Sequence, residues 1–161
     1  MRLPYSGEPF AVPPNLYIIA TMNSTDRSIA LVDIALRRRF AFVELKPRPE
    51  LLEGRNINGL SIRKLLERLN REIRTRLGRD FEIGHSYFLD VLDGQILHLV
   101  WYYQAIPLLR EYFYSKLEIL KNMFHGKEEL YDNSKASDVS KEELIDLLID
   151  WVEGGKEEQV R

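Results

Sequence analysis

The pattern of hydrophobic and polar positions changes near residue 46, and strand signals occur only before that point. Residues 16–20 are a continuous apolar run of aromatic and β-branched side chains, which is typical of a strand buried on both faces. Residues 40–45 (FAFVEL) show an alternating pattern that predicts a second strand. Between the two, apolar residues at helical spacing predict a helix over residues 28–39. The first part of the chain therefore has α/β character.

The rest of the chain predicts helices alone. Apolar residues at 62–77 recur every three or four positions, and Gly78 is placed to end that helix. Asp93 is placed to cap a further helix, which Pro107 either kinks or divides from a new helix reaching residue 123.

The C-terminal region predicts one more helix. Ser140 opens a capping box with Glu143, which indicates a helix through residue 152. The preceding residues, 125–139, have the composition of a polar loop.

Two strands do not make a stable open sheet, because a strand buried on both faces needs a neighbour on each side. We therefore expect the chain to be a fragment of a larger α/β domain that is mostly α. In this interpretation, residues 1–46 hold the last strands and a helix of that domain, and residues 47–161 form a helical appendage.

Composition excludes several classes of protein. The 161 residues include no cysteine, so disulfides and thiolate metal sites are excluded. No apolar run approaches the roughly 18–20 residues that a membrane helix needs, and the first ten residues lack the apolar core of a secretory signal. We expect a cytoplasmic protein with neither a membrane segment nor a metal site.

Charge is distributed unevenly. Residues 27–79 carry 14 Lys and Arg against 6 Asp and Glu, whereas residues 80–161 carry 8 against 17. Such halves suit charge-matched contacts between domains or between copies of the chain, although two ordinary solvated faces give the same pattern.

A polar cluster follows the first predicted strand, where open α/β sheets place ligands. Asn23 offers a donor and an acceptor that can hold a water in line with a terminal phosphate, or it forms an Asx turn. Asp26 can orient the same water or cap the next helix. Arg27 can pair with Asp26 or with a phosphate.

Three consecutive arginines, Arg37, Arg38 and Arg39, end the predicted helix at 28–39. Because a helix turns by about 100° per residue, their guanidinium groups fan out around it and cannot share one local partner. A basic last turn that complements the helix dipole accounts for one of them. We expect at least one to reach a neighbouring subunit or a phosphate ligand.

A second polar group lies among apolar residues at Gly84, His85 and Ser86. Gly84 permits an unusual backbone angle or a close approach, and the two following residues offer polar side chains. No base, nucleophile and orienting group occur together here, so a serine hydrolase is disfavoured.

These motifs resemble one family. Residues 22–28 (MNSTDRS), 30–33 (ALVD) and 35–40 (ALRRRF) resemble the MNxxDRS…ALVDxALRRRF block of AAA+ proteins of the McrB type, the GTP-hydrolysing subunits of modification-dependent restriction systems. The likeness continues through GHSYF at 84–88 and IPLLREYF at 106–113.

The resemblance implies roles for these residues. Asn23 would be the sensor-type residue, and Asp26 would help arrange the water that attacks the γ-phosphate. Arg38 would act in trans as an arginine finger on the next subunit's nucleotide. Arg27, Arg37 and Arg39 would contact phosphate or an interface, and Gly84, His85 and Ser86 would lie near the nucleotide at the start of a helical lid.

The resemblance also implies a fold and partners. Residues 1–46 would be the last strands and helix of an AAA+ P-loop NTPase core, and residues 47–161 its C-terminal helical lid. The complete protein would use GTP, or ATP, with Mg²⁺. It would form a homo-oligomeric ring, a hexamer by resemblance, serve a McrC-like nuclease subunit, and reach DNA indirectly.

The chain has no GxxxxGK[ST] phosphate loop. We therefore expect it to be inactive and without cofactor alone, and to require an N-terminal AAA+ half. One alternative is a non-enzymatic helical interaction module. Another is a nucleic-acid binder that uses the basic residues between 63 and 79, which more often are a solvated helix face.

Overall fold

The computed structural model describes residues 2–22 and 38–154 of the chain. Contacts divide the chain into two compact units, Met1–Asp33 and Ile34–Arg161.

The described part of the first unit is irregular. It contains turns and an isolated antiparallel bridge between Arg2 and Pro9. The predicted strand at 16–20 is wrong, because these residues belong to no strand and their side chains are exposed, Ile19 by 95 %. A continuous apolar strand needs ladder partners on both sides, and the described residues supply none for this segment.

The second predicted strand is also wrong. Residues 41–48 have no regular secondary structure, and residues 41–46 are exposed. An alternating strand likewise forms only beside another strand, and in the described part of the chain no strand pairs with this segment. Of the predicted helix at 28–39, residues 28–37 lie outside the described residues, whereas Arg38 and Arg39 lie in a turn.

A β-hairpin that the hydrophobic pattern did not predict opens the helical region. After a 3₁₀ turn at Pro49–Leu52, β1 (Asn56–Ile57) pairs antiparallel with β2 (Leu60–Ser61). The two loop residues both have positive φ, 49° at Asn58 and 97° at Gly59, as a type I′ turn requires.

Helix α1 (Ile62–Leu77) agrees with the prediction at both ends. Ser61 caps its start by accepting a hydrogen bond from the backbone N–H of Lys64. Gly78 ends it with φ of 100°, a conformation that disfavours other residues. One face of α1 is fully buried and carries the predicted apolar stripe: Leu65, Leu66, Leu69 and Ile73.

The next helical segment, residues 94–112, does not break at Pro107 but changes from α-helical to π-helical winding and back. Asp93 caps α2 (Gly94–Val100), as predicted, by accepting a hydrogen bond of 2.9 Å from Ile96 N–H. A π-helical turn, Trp101–Ala105, then leads into α3 (Ile106–Tyr112). Pro107 therefore occupies the first turn of α3, where its missing N–H is tolerated, and the wider turn accommodates its ring.

The helix predicted from Pro107 to residue 123 ends where expected, at Met123, but it is interrupted. Helix α3 ends at Tyr112, and a new helix, α4, spans Leu117–Met123. Phe113 turns into the core with 1 % exposure, and Lys116 N–H closes a tight turn on its carbonyl at 2.7 Å.

The predicted polar loop at 125–139 is wrong as well. It contains α5 (Glu128–Tyr131) and a 3₁₀ turn at Asn133–Ser137. These form because Leu130 and Val139 are buried and anchor the segment. The last helix, α6 (Lys141–Gly154), starts as predicted, with Glu143 N–H donating to Ser140 Oγ at 3.1 Å.

One apolar core joins these helices. Its aromatic centre places Trp101 edge-on to Phe124 and packs Phe124 against Trp151, with ring centroids 6.0 and 4.9 Å apart. The Trp151 indole N–H donates to the Met123 carbonyl at 2.8 Å, so this buried donor is satisfied. Within residues 2–22 and 38–154, no helix is long and apolar enough to cross a membrane. The described chain is thus mostly helical with one small sheet.

Asp132 connects α3 to the 3₁₀ turn and predicts a pH dependence. Its Oδ1 accepts hydrogen bonds from Ser134 N–H at 3.0 Å and from Arg110 at 3.3 Å. The Ser134 hydrogen bond, with Arg110 adding to it, lowers the pKa of Asp132. A carboxyl with a lowered folded pKa stabilises the fold above its unfolded pKa, near ~3.9, and this contribution is lost as pH falls through the folded value.

Asp132→Asn is therefore expected to lower the free energy of unfolding at pH 7 by about 0.5–1 kcal/mol. The difference from wild type should disappear toward acid pH, as measured by urea unfolding at a series of pH values. Asp146→Asn, at an exposed position of α6, is the matched control. A deficit that persists undiminished in acid would contradict the prediction.

Candidate functional site

The described residues include part of the arginine block. Arg38 and Arg39 lie in an exposed turn of the second unit. Asn23, Asp26, Arg27 and Arg37 lie outside the described residues, so their predicted roles remain predictions. The exposure of Arg38 leaves its guanidinium accessible to a ligand or to another subunit, which suits a group that contacts phosphate.

The Gly84–Ser86 group begins a short 3₁₀ turn, His85–Phe88. Gly84 has an ordinary extended backbone, with φ of −68° and ψ of 147°, so no unusual angle requires glycine. A Cβ built there would lie 3.3 Å from Ser86 Oγ, a tight contact that rotation of this exposed hydroxyl relieves. Phe88 is fully buried and anchors the turn, whereas Ser86 is exposed.

His85 makes a contact that its surroundings in the sequence do not reveal. The backbone N–H of Arg48 donates to His85 Nδ1 at 3.2 Å, across 37 positions of sequence. Arg48 itself pairs with Glu50 through Nε at 3.0 Å. This hydrogen bond lowers the pKa of the Glu50 carboxyl. His85 therefore holds the segment that leads from the arginine turn into the helices.

Asn70 fixes the chain at Ile83, immediately before the Gly84–Ser86 group. It is 4 % exposed, and its amide makes two hydrogen bonds to one residue: Nδ2 donates to the Ile83 carbonyl at 2.9 Å, and Oδ1 accepts from Ile83 N–H at 2.7 Å. Sequence reasoning missed this residue. The available signal was a carboxamide placed one position after Leu69, on the apolar face of α1.

The basic face of α1 is largely neutralised by carboxylates. Arg63 pairs with Glu53 and Glu67, and its hydrogen bond to Glu67 raises the pKa of Arg63 above its ordinary value. Further along the helix, Arg76 pairs with Glu72, and Arg74 pairs with Glu82.

Arg68 is the buried member of this face. It is 7 % exposed, pairs with Glu72 at 3.0 Å and lies over the Trp151 ring, 5.5 Å from its centre. Paired and buried guanidinium groups are poorly placed to neutralise a phosphate backbone. The arrangement therefore favours the solvated-face interpretation over a nucleic-acid groove.

A surface cleft of about 380 Å³ lies elsewhere, between the hairpin, the start of α2 and the start of α6. Asn58, Asp93 and Lys141 are among its lining residues, and none of the sequence-predicted site residues that the structure describes contributes. Within residues 2–22 and 38–154, no three acidic or histidine side chains are grouped so that they could hold a metal ion.

Comparison with known families identifies the class of this helical region. Residues 61–121 match the model of the McrB α-helical lid domain, a range that runs from the N-cap of α1 into α4. The matched residues, 61–121, are therefore similar to a McrB-type lid.

A particular relative matches a longer stretch. The chain is 42 % identical over 125 residues to the Type IV methyl-directed restriction enzyme EcoKMcrB subunit of Escherichia coli strain K12. The match covers 66 % of this chain and 27 % of the relative, so the chain spans about a quarter of that protein's length. Together the two matches confirm the resemblance to the C-terminal part of McrB-type proteins.

Proposed function

We propose that this chain is the C-terminal portion of an AAA+ motor subunit of a McrBC-like, modification-dependent restriction endonuclease. The observation that carries the proposal is the McrB-type lid at 61–121, in one compact unit with an exposed arginine turn at Arg38 and Arg39. Identity to a methyl-directed restriction subunit supports the same class. The nucleotide is GTP or, alternatively, ATP, with Mg²⁺.

The proposed division of labour follows the family block. Asn23 senses the γ-phosphate and Asp26 helps arrange the attacking water, while Arg38 reaches the nucleotide of the next subunit. A fork of N–H donors aimed at the transferring phosphoryl group stabilises the charge that spreads over its oxygens in the transition state. Arg27, Arg37 and Arg39 contact phosphate or the subunit interface.

In this proposal the lid covers the nucleotide and helps to position it. Gly84, His85 and Ser86 lie after α1, within the matched lid residues, and in this proposal they are near the nucleotide. Among them, Ser86 is exposed and can reach a ligand, whereas His85 is occupied by Arg48 N–H. A lid that closes over a nucleotide excludes water and completes the set of phosphate contacts.

The proposed assembly supplies the phosphate loop, a motif that this sequence lacks. With no phosphate loop in its sequence, the chain alone neither hydrolyses nor tightly binds nucleotide. An N-terminal AAA+ half provides that loop, and copies associate into a ring, proposed to be hexameric. The ring drives a McrC-like nuclease subunit and acts on DNA indirectly, in the cytoplasm.

The test is complementation. The chain is mixed with a separately made N-terminal AAA+ half that carries the phosphate loop, and GTP and ATP hydrolysis are measured. We expect hydrolysis only when both halves are present, and loss of that activity with Asn23→Ala. Hydrolysis by the N-terminal half alone that the chain does not increase would contradict the proposal.

A non-enzymatic interaction module is the second candidate, and one observation favours it. Leu99 and Tyr103 lie one turn apart on the same helical segment and are 50 % and 65 % exposed. Such an apolar pair suits a docking surface. If this module is the whole function, Leu99→Ser abolishes partner capture while the mixture of halves shows no nucleotide-dependent activity.

A further inference from the structure

We propose that His85 is a positioning residue. Its hydrogen bond to Arg48 makes Arg48 the first residue of the rigid part of the lid, and thereby sets the angle of the lid over the nucleotide. The inference rests on the proposed function for its effect on hydrolysis. The contact itself can be tested without it.

On the lid side of Arg48 the chain is held firmly. Leu51 N–H donates to the Arg48 carbonyl at 3.1 Å, which begins the 3₁₀ turn Pro49–Leu52. Leu52 is fully buried in the core. The turn packs against both α1 and the His85–Phe88 turn. From Arg48 onward the chain is thus part of the lid.

The chain is also anchored on both sides of His85. Asn70 clamps both backbone groups of Ile83, two residues before the histidine, and Phe88 is fully buried three residues after it. A side chain held between these anchors presents Nδ1 in a fixed position.

The chain just before Arg48 has no regular secondary structure and is mostly exposed. Residues 41–46 belong to no helix or strand and are exposed, with Val43 at 82 % and Leu45 at 91 %. Irregular, exposed segments absorb the dihedral changes of hinge motions. The hydrogen bond from Arg48 to His85 therefore lies at the boundary between hinge and lid. Without it, the fixed part of the lid starts later, at the 3₁₀ turn.

The contact requires an acceptor at one ring position. Nδ1 accepts only when the ring is neutral with its proton on Nε2. An asparagine at this position offers Oδ1 close to where Nδ1 lies, so His85→Asn can keep the hydrogen bond. Leucine has a similar size near the backbone and offers no acceptor, so His85→Leu removes it.

The chain offers a matched control. His98 lies inside the lid and bonds the Val139 carbonyl through Nε2 at 3.0 Å, a length close to the 3.2 Å at His85. His98→Leu therefore removes a comparable histidine-to-backbone hydrogen bond, but far along the chain from the hinge boundary.

The first measurement is amide hydrogen exchange in the 161-residue chain. Loss of one hydrogen bond predicts about tenfold faster exchange of the Arg48 amide in His85→Leu. His85→Asn should restore slow exchange, and His98→Leu should leave Arg48 unaffected. Unchanged exchange at Arg48 in His85→Leu, or the same acceleration in His98→Leu, would overturn the inference.

The second measurement is hydrolysis by the complemented halves. Misplacement of the lid predicts that His85→Leu lowers kcat about 10-fold or more, with His85→Asn recovering most of it and His98→Leu close to wild type. Equal losses in His85→Leu and His98→Leu would show a merely structural role. If wild-type halves fail to hydrolyse, the proposed function fails, whereas the exchange result still decides the contact.

Discussion

Replacing Arg38, the proposed arginine finger, with alanine is expected to lower nucleotide hydrolysis by the complemented protein about 10³-fold or more, which is the usual effect of losing such a residue. Arg38 is exposed in a turn, so its removal should leave the helical core intact. The measurement is steady-state hydrolysis at saturating nucleotide. Binding of the nucleotide should change much less, because the finger acts on the transition state.

Two variants give this prediction its controls. Arg38→Lys keeps the charge and loses the planar fork, so we expect most of the activity to be lost. Arg79→Ala removes another exposed arginine, from the lid, and should stay within about twofold of wild type. An Arg38→Ala protein with near-normal kcat would assign the finger to another residue.

Asn70→Leu is expected to destabilise the fold by about 3 kcal/mol, because it leaves the N–H and the carbonyl of Ile83 buried without a partner. Asn70 is 4 % exposed, and its amide makes both of those hydrogen bonds. Urea unfolding of the 161-residue chain measures the change, which should appear as a lower midpoint with an unchanged slope.

The control for Asn70 is Asn122→Leu. Asn122 lies exposed on α4, so the same substitution there should shift stability by no more than about 0.5 kcal/mol. If Asn70→Leu cost as little as this control, the clamp on Ile83 would not be a major support of the GHSYF segment.

Local signals predicted the helices well where the cause is local. The apolar stripe of α1 and the caps at Asp93 and Ser140 depend on residues within a few positions of one another, and the structure shows each of them. The hairpin also had a local signal, because Asn58-Gly59 is a favoured type I′ turn. Its strands have only two residues each, too few for a periodic pattern to show.

Non-local causes account for the errors. The segments at 16–20 and 40–45 have strand composition, but a strand forms only beside another strand, and among the described residues no strand pairs with either segment. The break after α3 depends on Phe113 turning into a core built from distant helices. Burial of Leu130 likewise orders a segment whose composition is polar.

The candidate site likewise has features that local motifs predicted and contacts that only the fold determines. The motifs identified Arg38 and His85 as residues of interest and indicated a helical lid, which the family match supports over residues 61–121. The partner of His85 is Arg48, 37 positions away, and the partner of Asn70 is Ile83. No periodicity relates either pair, so only the folded chain reveals them.

The central claim is that Asn23 and Arg38 of one chain serve two different nucleotide pockets. Mixing two inactive variants, Asn23→Ala and Arg38→Ala, with the phosphate-loop half tests it most directly. In a head-to-tail ring of randomly mixed subunits, about a quarter of the pockets regain both residues. We predict recovery of hydrolysis to about that fraction of the wild-type rate, and a mixture as inactive as either variant alone would contradict the claim.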